Sequence, residues 1–547
     1  MRLAFFGCFR GCSAAGCYVF GECGAGMWRV GRLGVMRNGI SLPLAGVRRA
    51  GAVGLLGVLL SGCALVGNPL VPADDFSPAM PSAYIHQDPR SEALMRAPAA
   101  APAFWAAFGS PELAALVSRA EEGSKDIAAA IARVRQAEWG ALQAGTGLLP
   151  SGALSGTSTT FRSSATAAGM ESGRLPQQQL RRAGLSASWE LDFWGKNAAL
   201  YSAAARREEA GVFALAATRL AVTAETAQTY VTVLSLRDRL AIARQNLTLA
   251  RKVMDSIRER VEAGSATQVT LAQQETVVRQ QEAAIVSLRR SASQAELSLA
   301  LLVGTRPGDV SLGKGGLKGL KLPPLNAGLP SDVLSRRPDV RQAEAQILAA
   351  SQDVGAARAA MLPSLSFSLQ RGFESLTTST LISPASGVAN FTSQLTQPLF
   401  DAPRLAAQMK GAEARREELI ATYEQAVLSS LSDVEKALVA LNTSGEELAI
   451  AGKAVDAARR AYELTQEQLE AGQVDMTTVL NTQREYFSAS DSLEQLRLAR
   501  FQAAIALYRA LGGGWSPEDA RLLMQPKETP SASGTKTVAA ARAAAAQ

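Results

Sequence analysis

Apolar and polar positions along this chain recur with two different periods, and the change between them happens at matching places twice. Residues 197–263 and 405–471 hold no Pro and few Gly and are rich in Ala, Leu, Glu, Gln and Arg, a pattern that predicts helix. A helix of about 67 residues would run roughly 100 Å at ~1.5 Å per residue, longer than an ordinary globular domain uses. Each rod stops at Ala-Gly, and further helical runs over about 268–303 and 476–511 lead back. Each rod therefore belongs to a long antiparallel hairpin, with small residues at the seam. Ahead of each rod the period falls to two. Within 184–193, Leu185, Ala187, Trp189, Leu191 and Phe193 take one face, and Ser186, Ser188, Glu190 and Asp192 take the other. Further on, Leu365, Phe367 and Leu369 alternate with Ser364, Ser366, Ser368 and Gln370, while Phe391, Leu395 and Leu399 keep even spacing. These are strands with one apolar and one polar face, a pattern that a soluble sandwich would share. Shorter helices are expected over 127–147 and 340–361, each stopped by Leu-Pro.

The two halves repeat one another. Glu262-Ala-Gly264 recurs as Glu470-Ala-Gly472 and Val303-Gly304 as Leu511-Gly512, both at a shift of 208 residues. Leu149-Pro150 recurs as Leu362-Pro363 at a shift of 213, whereas Leu191-Asp-Phe-Trp-Gly-Lys196 pairs with Leu399-Phe-Asp-Ala-Pro-Arg404 at 208, so an insertion or deletion lies between Pro150 and Leu191. The expected organisation is an upstream extension and signal over 1–62, an extended strap over 63–103, a first repeat over 104–310, a linker over 311–330, a second repeat over 331–515 and a disordered tail over 516–547.

Charge and cysteines sharpen the ends of this scheme. Residues 1–62 hold seven Arg against one acid, a net +6 of the chain's +7, so the rest is near neutral. A nucleic-acid partner, which needs clustered Lys and Arg in the folded part, is not expected. Arg48-Arg49 is followed by a short apolar run and then Leu60-Ser61-Gly62-Cys63. The run is a secretion signal too short to span a bilayer as a helix, and its last four residues match a bacterial lipobox, which makes Cys63 the acylated first residue of the mature chain. The other cysteines, Cys8, Cys12, Cys17 and Cys23, all precede it; they are read as translation upstream of the true start, with Met1, Met27 and Met36 as candidates and Met36 preferred.

These residues together resemble the TolC-like outer-membrane efflux proteins, specifically their lipoprotein branch. The resemblance rests on Trp105-x-x-Phe108-Gly-Ser-Pro-Glu-Leu113, the two Leu-Pro stops, Trp189-Glu-Leu-Asp-Phe-Trp-Gly195, Gln397-Pro-Leu-Phe-Asp401 and the two hairpin glycines, and it covers Phe104 to Trp515. It implies a mixed α and β fold in which each repeat gives two strands and a hairpin, and three chains close a twelve-stranded outer-membrane β-barrel continued by a periplasmic α-helical barrel. A lone four-stranded sheet would leave backbone groups unpaired in hydrocarbon, so a homotrimer is required on physical grounds as well. On this reading Leu185, Trp189, Leu191 and Phe193 face outer-membrane lipid, and Ser186, Ser188, Glu190 and Asp192 line the lumen. Gly264, Ser265, Gly472 and Gln473 are the tips that meet a periplasmic adaptor. The resemblance further implies a constriction just beyond the second tip, often acidic. Here Thr270, Thr478 and Asn481 fall at the corresponding positions and Asp475 is the nearby carboxylate, serving a gate or capping a helix.

Enzyme chemistry finds little support. His86 is the sole histidine, and no cysteine follows Cys63, so neither a Cys–His pair nor a metal cluster is expected and no cofactor is assigned. The function expected is a passive duct of a tripartite efflux system. Its inner-membrane pump is expected to be of the resistance-nodulation-division type, with a type I secretion or ABC-type exporter as the alternative and a non-channel coiled-coil adaptor as a third reading. Replacing Cys63 with Ser should abolish palmitate labelling of the protein in cells; labelling that persists would remove the anchor.

Overall fold

The computed structural model describes residues 80–86, 104–166, 169, 173–323 and 328–515. Cys63, the signal, most of the strap and the C-terminal tail lie outside the described residues.

Each repeat opens with short helices, passes through two strands, and ends in a hairpin. In the first repeat these are α1 (Pro111–Gly123), α2 (Lys125–Thr146), β1 (Ser151–Phe161), β2 (Gln178–Leu191), α3 (Lys196–Glu262) and α4 (Gln268–Val303). In the second they are α5 (Asp332–Arg336), α6 (Pro338–Ala359), β3 (Ser364–Ser375), β4 (Gly387–Thr396), α7 (Ala402–Glu470) and α8 (Met476–Ala510). The rods α3 and α7 are 67 and 69 residues long, so each reaches roughly 100 Å. The alternation anticipated through Phe193 and Leu399 ends sooner, at Leu191 and Thr396. Asp192, Phe193 and Leu399 therefore sit in turns rather than on strands, because Gly195 at φ 72 starts α3 and Pro398 cannot extend β4.

The four strands form one antiparallel sheet in the order β1-β2-β3-β4, which leaves β1 and β4 as its edges. Gly184 and Gly372 face each other across the central β2–β3 pair. A Cβ on Gly372 would stand 2.4 Å from the Ala183 carbonyl oxygen, so the strands approach here in a way only glycine allows.

Seen from a rod, the return helix and the opening helices stack end to end. α4 ends where α1 turns into α2, and a Cβ on Gly304 would lie 2.1 Å from the Gly123 carbonyl oxygen. The second repeat does the same, with Gly512 against the Arg336 carbonyl oxygen at 2.4 Å. Both glycines have positive φ. The main core lies beside these junctions. Phe104 stacks on Tyr508 at 4.0 Å and Trp105 meets Tyr508 edge-on at 4.8 Å, with Phe108, Leu113, Leu215, Leu234, Leu299, Leu317 and Ile505 buried around them. The opening motif builds this centre. Ser110 caps α1 by accepting from the Leu113 amide, Glu112 accepts from the Gly313 amide at 2.6 Å, and the buried Tyr230, its hydroxyl pKa pushed up to about 12 by burial, donates to Glu112 at 2.8 Å.

The described stretches of linker are bound down. Leu317 is fully buried, its amide donates to Asp238 at 2.8 Å, and Lys318 reaches the buried Glu494. Residues 80–86 of the strap also lie on the rods. Tyr84 is buried against Val434, Leu438 and Leu511, and Glu435 accepts from the Ile85 and His86 amides and contacts His86 Nδ1 at 2.9 Å. The sole histidine is thus a surface contact of the strap.

Gly304→Ala should destabilise the protein more than Gly264→Ala, although both glycines sit near φ +72. Each variant bears ~1–2 kcal/mol for left-handed backbone, but Gly264 has open space where Gly304 meets backbone, adding ~1–3 kcal/mol of overpacking. Loss of helical signal on heating measures this, and equal losses for the two variants would refute the close-approach account.

Candidate functional site: the amphipathic sheet and the hairpin tips

The register sorts the whole sheet into two faces. Leu154, Leu185, Ala187, Trp189, Leu191, Leu365, Phe367, Leu369, Phe373, Phe391 and Leu395 share one, and Ser151, Ser186, Ser188, Glu190, Ser366, Ser368, Gln370, Asn390 and Thr392 share the other. The apolar face is open in the single chain, with Leu154 84% and Phe391 69% exposed. Exposed apolar area of this extent marks a surface for a partner or a membrane.

On the polar face the side chains bond one another or the neighbouring strand. Ser188 and Ser151 hydroxyls are 2.8 Å apart, and Ser186 donates to the Ala153 carbonyl oxygen. Charges there are neutralised locally, Arg182 on Glu374 at 2.8 Å and Glu190 on Lys196 at 2.6 Å. Asp192 has a different task. Its two carboxylate oxygens accept from the Asn197 and Ala198 amides at 3.0 and 2.7 Å, capping α3 where the rod begins. Indole groups mark the helix-side end of the sheet: Trp189 Nε1 donates to the Leu148 carbonyl oxygen and Trp194 Nε1 to that of Pro363. Phe193 lies edge-on to Trp194 at 4.8 Å, and Phe400, just ahead of α7, is 98% exposed.

At the far end of the rods the two tips have the same construction. Gly264 and Gly472 both have φ +71. The amide of Gly264 donates to Val261 and that of Ser265 to Arg260; Gly472 and Gln473 repeat this with Leu469 and Gln468. This paired pattern is the Schellman arrangement that closes a helix on a left-handed residue. The next helices are capped at matching positions, by Thr267 accepting from the Thr270 amide and by Asp475 accepting from the Thr478 amide at 2.9 Å. Three of the residues expected near the constriction, Thr270, Asp475 and Thr478, are thus held in helix caps, and Thr478 also gives its hydroxyl to Asp475 at 2.6 Å. These bonds hold the Asp475 carboxyl below its ordinary range. Asn481 is exposed one turn further on.

A polar seam joins the hairpins above the tips. Gln274 on α4 and Gln483 on α8 are both fully buried and 3.3 Å apart, Gln274 also donates to the Ala250 carbonyl oxygen at 2.7 Å, and Gln483 donates to the Tyr462 hydroxyl. Higher up, Arg239 of α3 binds Asp491 of α8 through two bonds of 2.7 and 2.9 Å. Nothing in the sequence set these glutamines apart from the many others on the rods. The Arg206–Glu209 cluster does form its expected i,i+3 pair, whereas Arg207 reaches across to Asp353 on α6.

The profile of the outer membrane efflux protein family matches residues 116–305 and 329–513, one match per repeat. The chain belongs to this family. It is 39% identical over 420 residues to the pyoverdine export outer membrane protein OpmQ of Pseudomonas aeruginosa, a match covering 76% of this chain and 88% of that one. To the solvent efflux pump outer membrane protein SrpC of Pseudomonas putida it is 30% identical, covering 84% of this chain and 97% of that one. Among solved structures, the outer-membrane channel OprN superposes with a TM-score of 0.74 over 82% of this chain and 99% of that one, at 24% identity. This efflux channel is therefore TolC-like, with a β domain continued by long helices, and it is the outer-membrane component of a tripartite efflux system in a Gram-negative envelope. Channels of the family work as trimers with a periplasmic adaptor and an inner-membrane pump, and the family is one of ducts rather than enzymes.

Proposed function

We propose that three copies of this chain close a twelve-stranded barrel and a continuous helical duct, open to the exterior at the β1–β2 and β3–β4 loops and to an adaptor at the tips. The observation that carries this is a sheet with a broad apolar face and two unpaired edges. No helix of the described residues is long and apolar enough to cross a membrane; what suits the sheet to hydrocarbon is its own exposed apolar face. It can enter hydrocarbon only if its edges are paired. Pairing β4 of one chain with β1 of the next satisfies them and repeats three times. The helices support the same assembly: Trp139 and Leu142 on α2, Leu297 and Leu301 on α4, and Leu428 and Ile450 on α7 stay exposed in the single chain, and a neighbouring copy would bury them.

In this assembly Leu185, Trp189 and Leu191 meet lipid, while Ser186, Ser188 and Glu190 line the lumen. Phe193, with Trp194 and Phe400, forms an aromatic girdle at the periplasmic edge, and Asp192 anchors the rod beneath it. Cys63, if acylated, adds a lipid anchor. Gly264, Ser265, Gly472 and Gln473 present tips with open space over the glycines, suited to close approach of an adaptor hairpin. The constriction has no ionic ring from Thr270, Thr478 or Asn481, so it closes through hydrogen bonds and packing, with Asp475 holding the cap. The partner pump is of the resistance-nodulation-division type. The greater identity to the pyoverdine exporter than to the solvent exporter, 39% against 30%, ranks a polar siderophore-like cargo ahead of an apolar solvent.

The purified mature protein should run as a trimer in detergent until heated, open conductance steps in a planar bilayer, and carry Cys residues at Ser265 or Gln473 that cross-link to a co-expressed adaptor. A monomer without conductance would overturn the duct, and an intact trimer that cross-links at neither position would overturn tip docking. Cells deleted for the gene should retain siderophore before they become sensitive to toluene; the reverse order would overturn the cargo ranking.

A further inference from the structure

The apolar face of the sheet carries two arginines. The register sets Arg371 between Leu369 and Phe373 on β3, opposite Leu185, and sets Arg181 on the same face of β2, opposite Ser375. Both strands are central in the sheet, so a junction between copies does not explain them. Charge on the polar face is paired within the chain, as in Arg182–Glu374 and Glu190–Lys196. Charge on the apolar face is not. The Arg371 guanidinium is exposed and has no partner among the described residues, and Arg181 donates only to neutral oxygens, those of Leu376 and Gln179. Arg162 and Arg174, exposed in the loop between β1 and β2, likewise face no acid among the described residues.

Their height along the strands says where the missing counter-charge lies. The helices join the sheet at Leu191 and Ser364, so the periplasmic side is there and the loop end points outward. At ~3.3 Å per residue and a tilt of roughly 40°, the Arg371 Cα stands about 15 Å above Leu365 and that of Arg181 about 25 Å above Leu191. An apolar band is about 25 Å tall. Arg181 is therefore at the outer rim, and Arg371 lies below it within reach of the rim by extending its side chain upward. A bare arginine on a lipid-facing strand is unfavourable unless an anion meets it.

We propose that Arg371 and Arg181 form a phosphate-binding site on the outer wall of the barrel, for the phosphorylated glycolipid headgroup of the outer leaflet. Guanidinium groups suit this ligand because they bind phosphate oxygens through paired charge-assisted bonds. The site rests on the barrel reading given above. It fixes the height of the channel in the membrane and makes its seating depend on headgroup charge.

The test uses the purified trimer in neutral detergent, incubated with lipid A bearing both phosphates or with the same lipid dephosphorylated, and native mass spectrometry to count retained lipid. Wild type should retain the phosphorylated lipid alone. The Arg181→Gln, Arg371→Gln double variant should retain at least about tenfold less, the loss expected from removing two charge-assisted contacts. Arg182→Gln, on the opposite face, should retain as much as wild type. Equal retention by the double variant, equal retention of the dephosphorylated lipid, or an equal loss in Arg182→Gln would overturn the site. Tryptophan quenching by a neutral brominated phospholipid is read on the same samples. Quenching with no phosphate dependence overturns this site and leaves the barrel, whereas no quenching overturns both.

Discussion

Backbone amides and carbonyls at the two edges of the sheet set the terms for everything else. A strand facing hydrocarbon cannot leave those groups to water, and the bond each would forgo is worth several kcal/mol in an apolar medium. A chain that brings only four strands, ordered β1-β2-β3-β4, must find the remaining pairing in other copies. In the proposed assembly the rods follow from the same closure: strands that enter a common ring would deliver their following helices, α3 and α7, to a second ring of the same symmetry.

The tandem repeat makes that second ring possible. Each rod is backed by two shorter helices stacked end to end, and the stack is tight because glycine stands at both junctions, Gly304 against Gly123 and Gly512 against Arg336. The opening motif, the linker and the last turn of α8 converge there through Phe104, Glu112, Leu317 and Tyr508. The middle of the chain is thus its most fully packed region. Toward the tips the two hairpins are joined by smaller apolar clusters, Val253, Ile257 and Leu480 and, above them, Ala250, Val277 and Phe487, beside the buried Gln274–Gln483 pair.

Much of this was legible in the order of residues. The rods, their return helices and the glycine turns could be read because a Pro-free stretch of about 67 residues has few alternatives to helix. β2 and β3 could be read because large apolar residues alternate with Ser. β1 could not, since Ser151–Phe161 is almost wholly Ser, Gly and Thr and shows one large apolar side chain, Leu154, before Phe161. Alternation in the sequence also runs past the end of β2 and assigns Asp192 to the lumen, whereas its carboxylate caps α3. The Thr267 and Asp475 caps hold Thr270 and Thr478, the residues six beyond each tip glycine, at the starts of their helices. The face of Arg371 comes from its pairing against Leu185, a register that the order of residues does not show.

Disulfide mapping of the sheet edges tests the closure most directly. Within one chain β1 and β4 are three strand spacings apart, about 14 Å, too far for a disulfide. A cysteine at Ser155 combined in turn with one at Asn390, Thr392 or Gln394 can therefore bridge only between copies. The account predicts that at least one pair yields covalent trimers on oxidation in the outer membrane. Exclusively monomeric protein from all three pairs, with the channel folded and inserted, would contradict it.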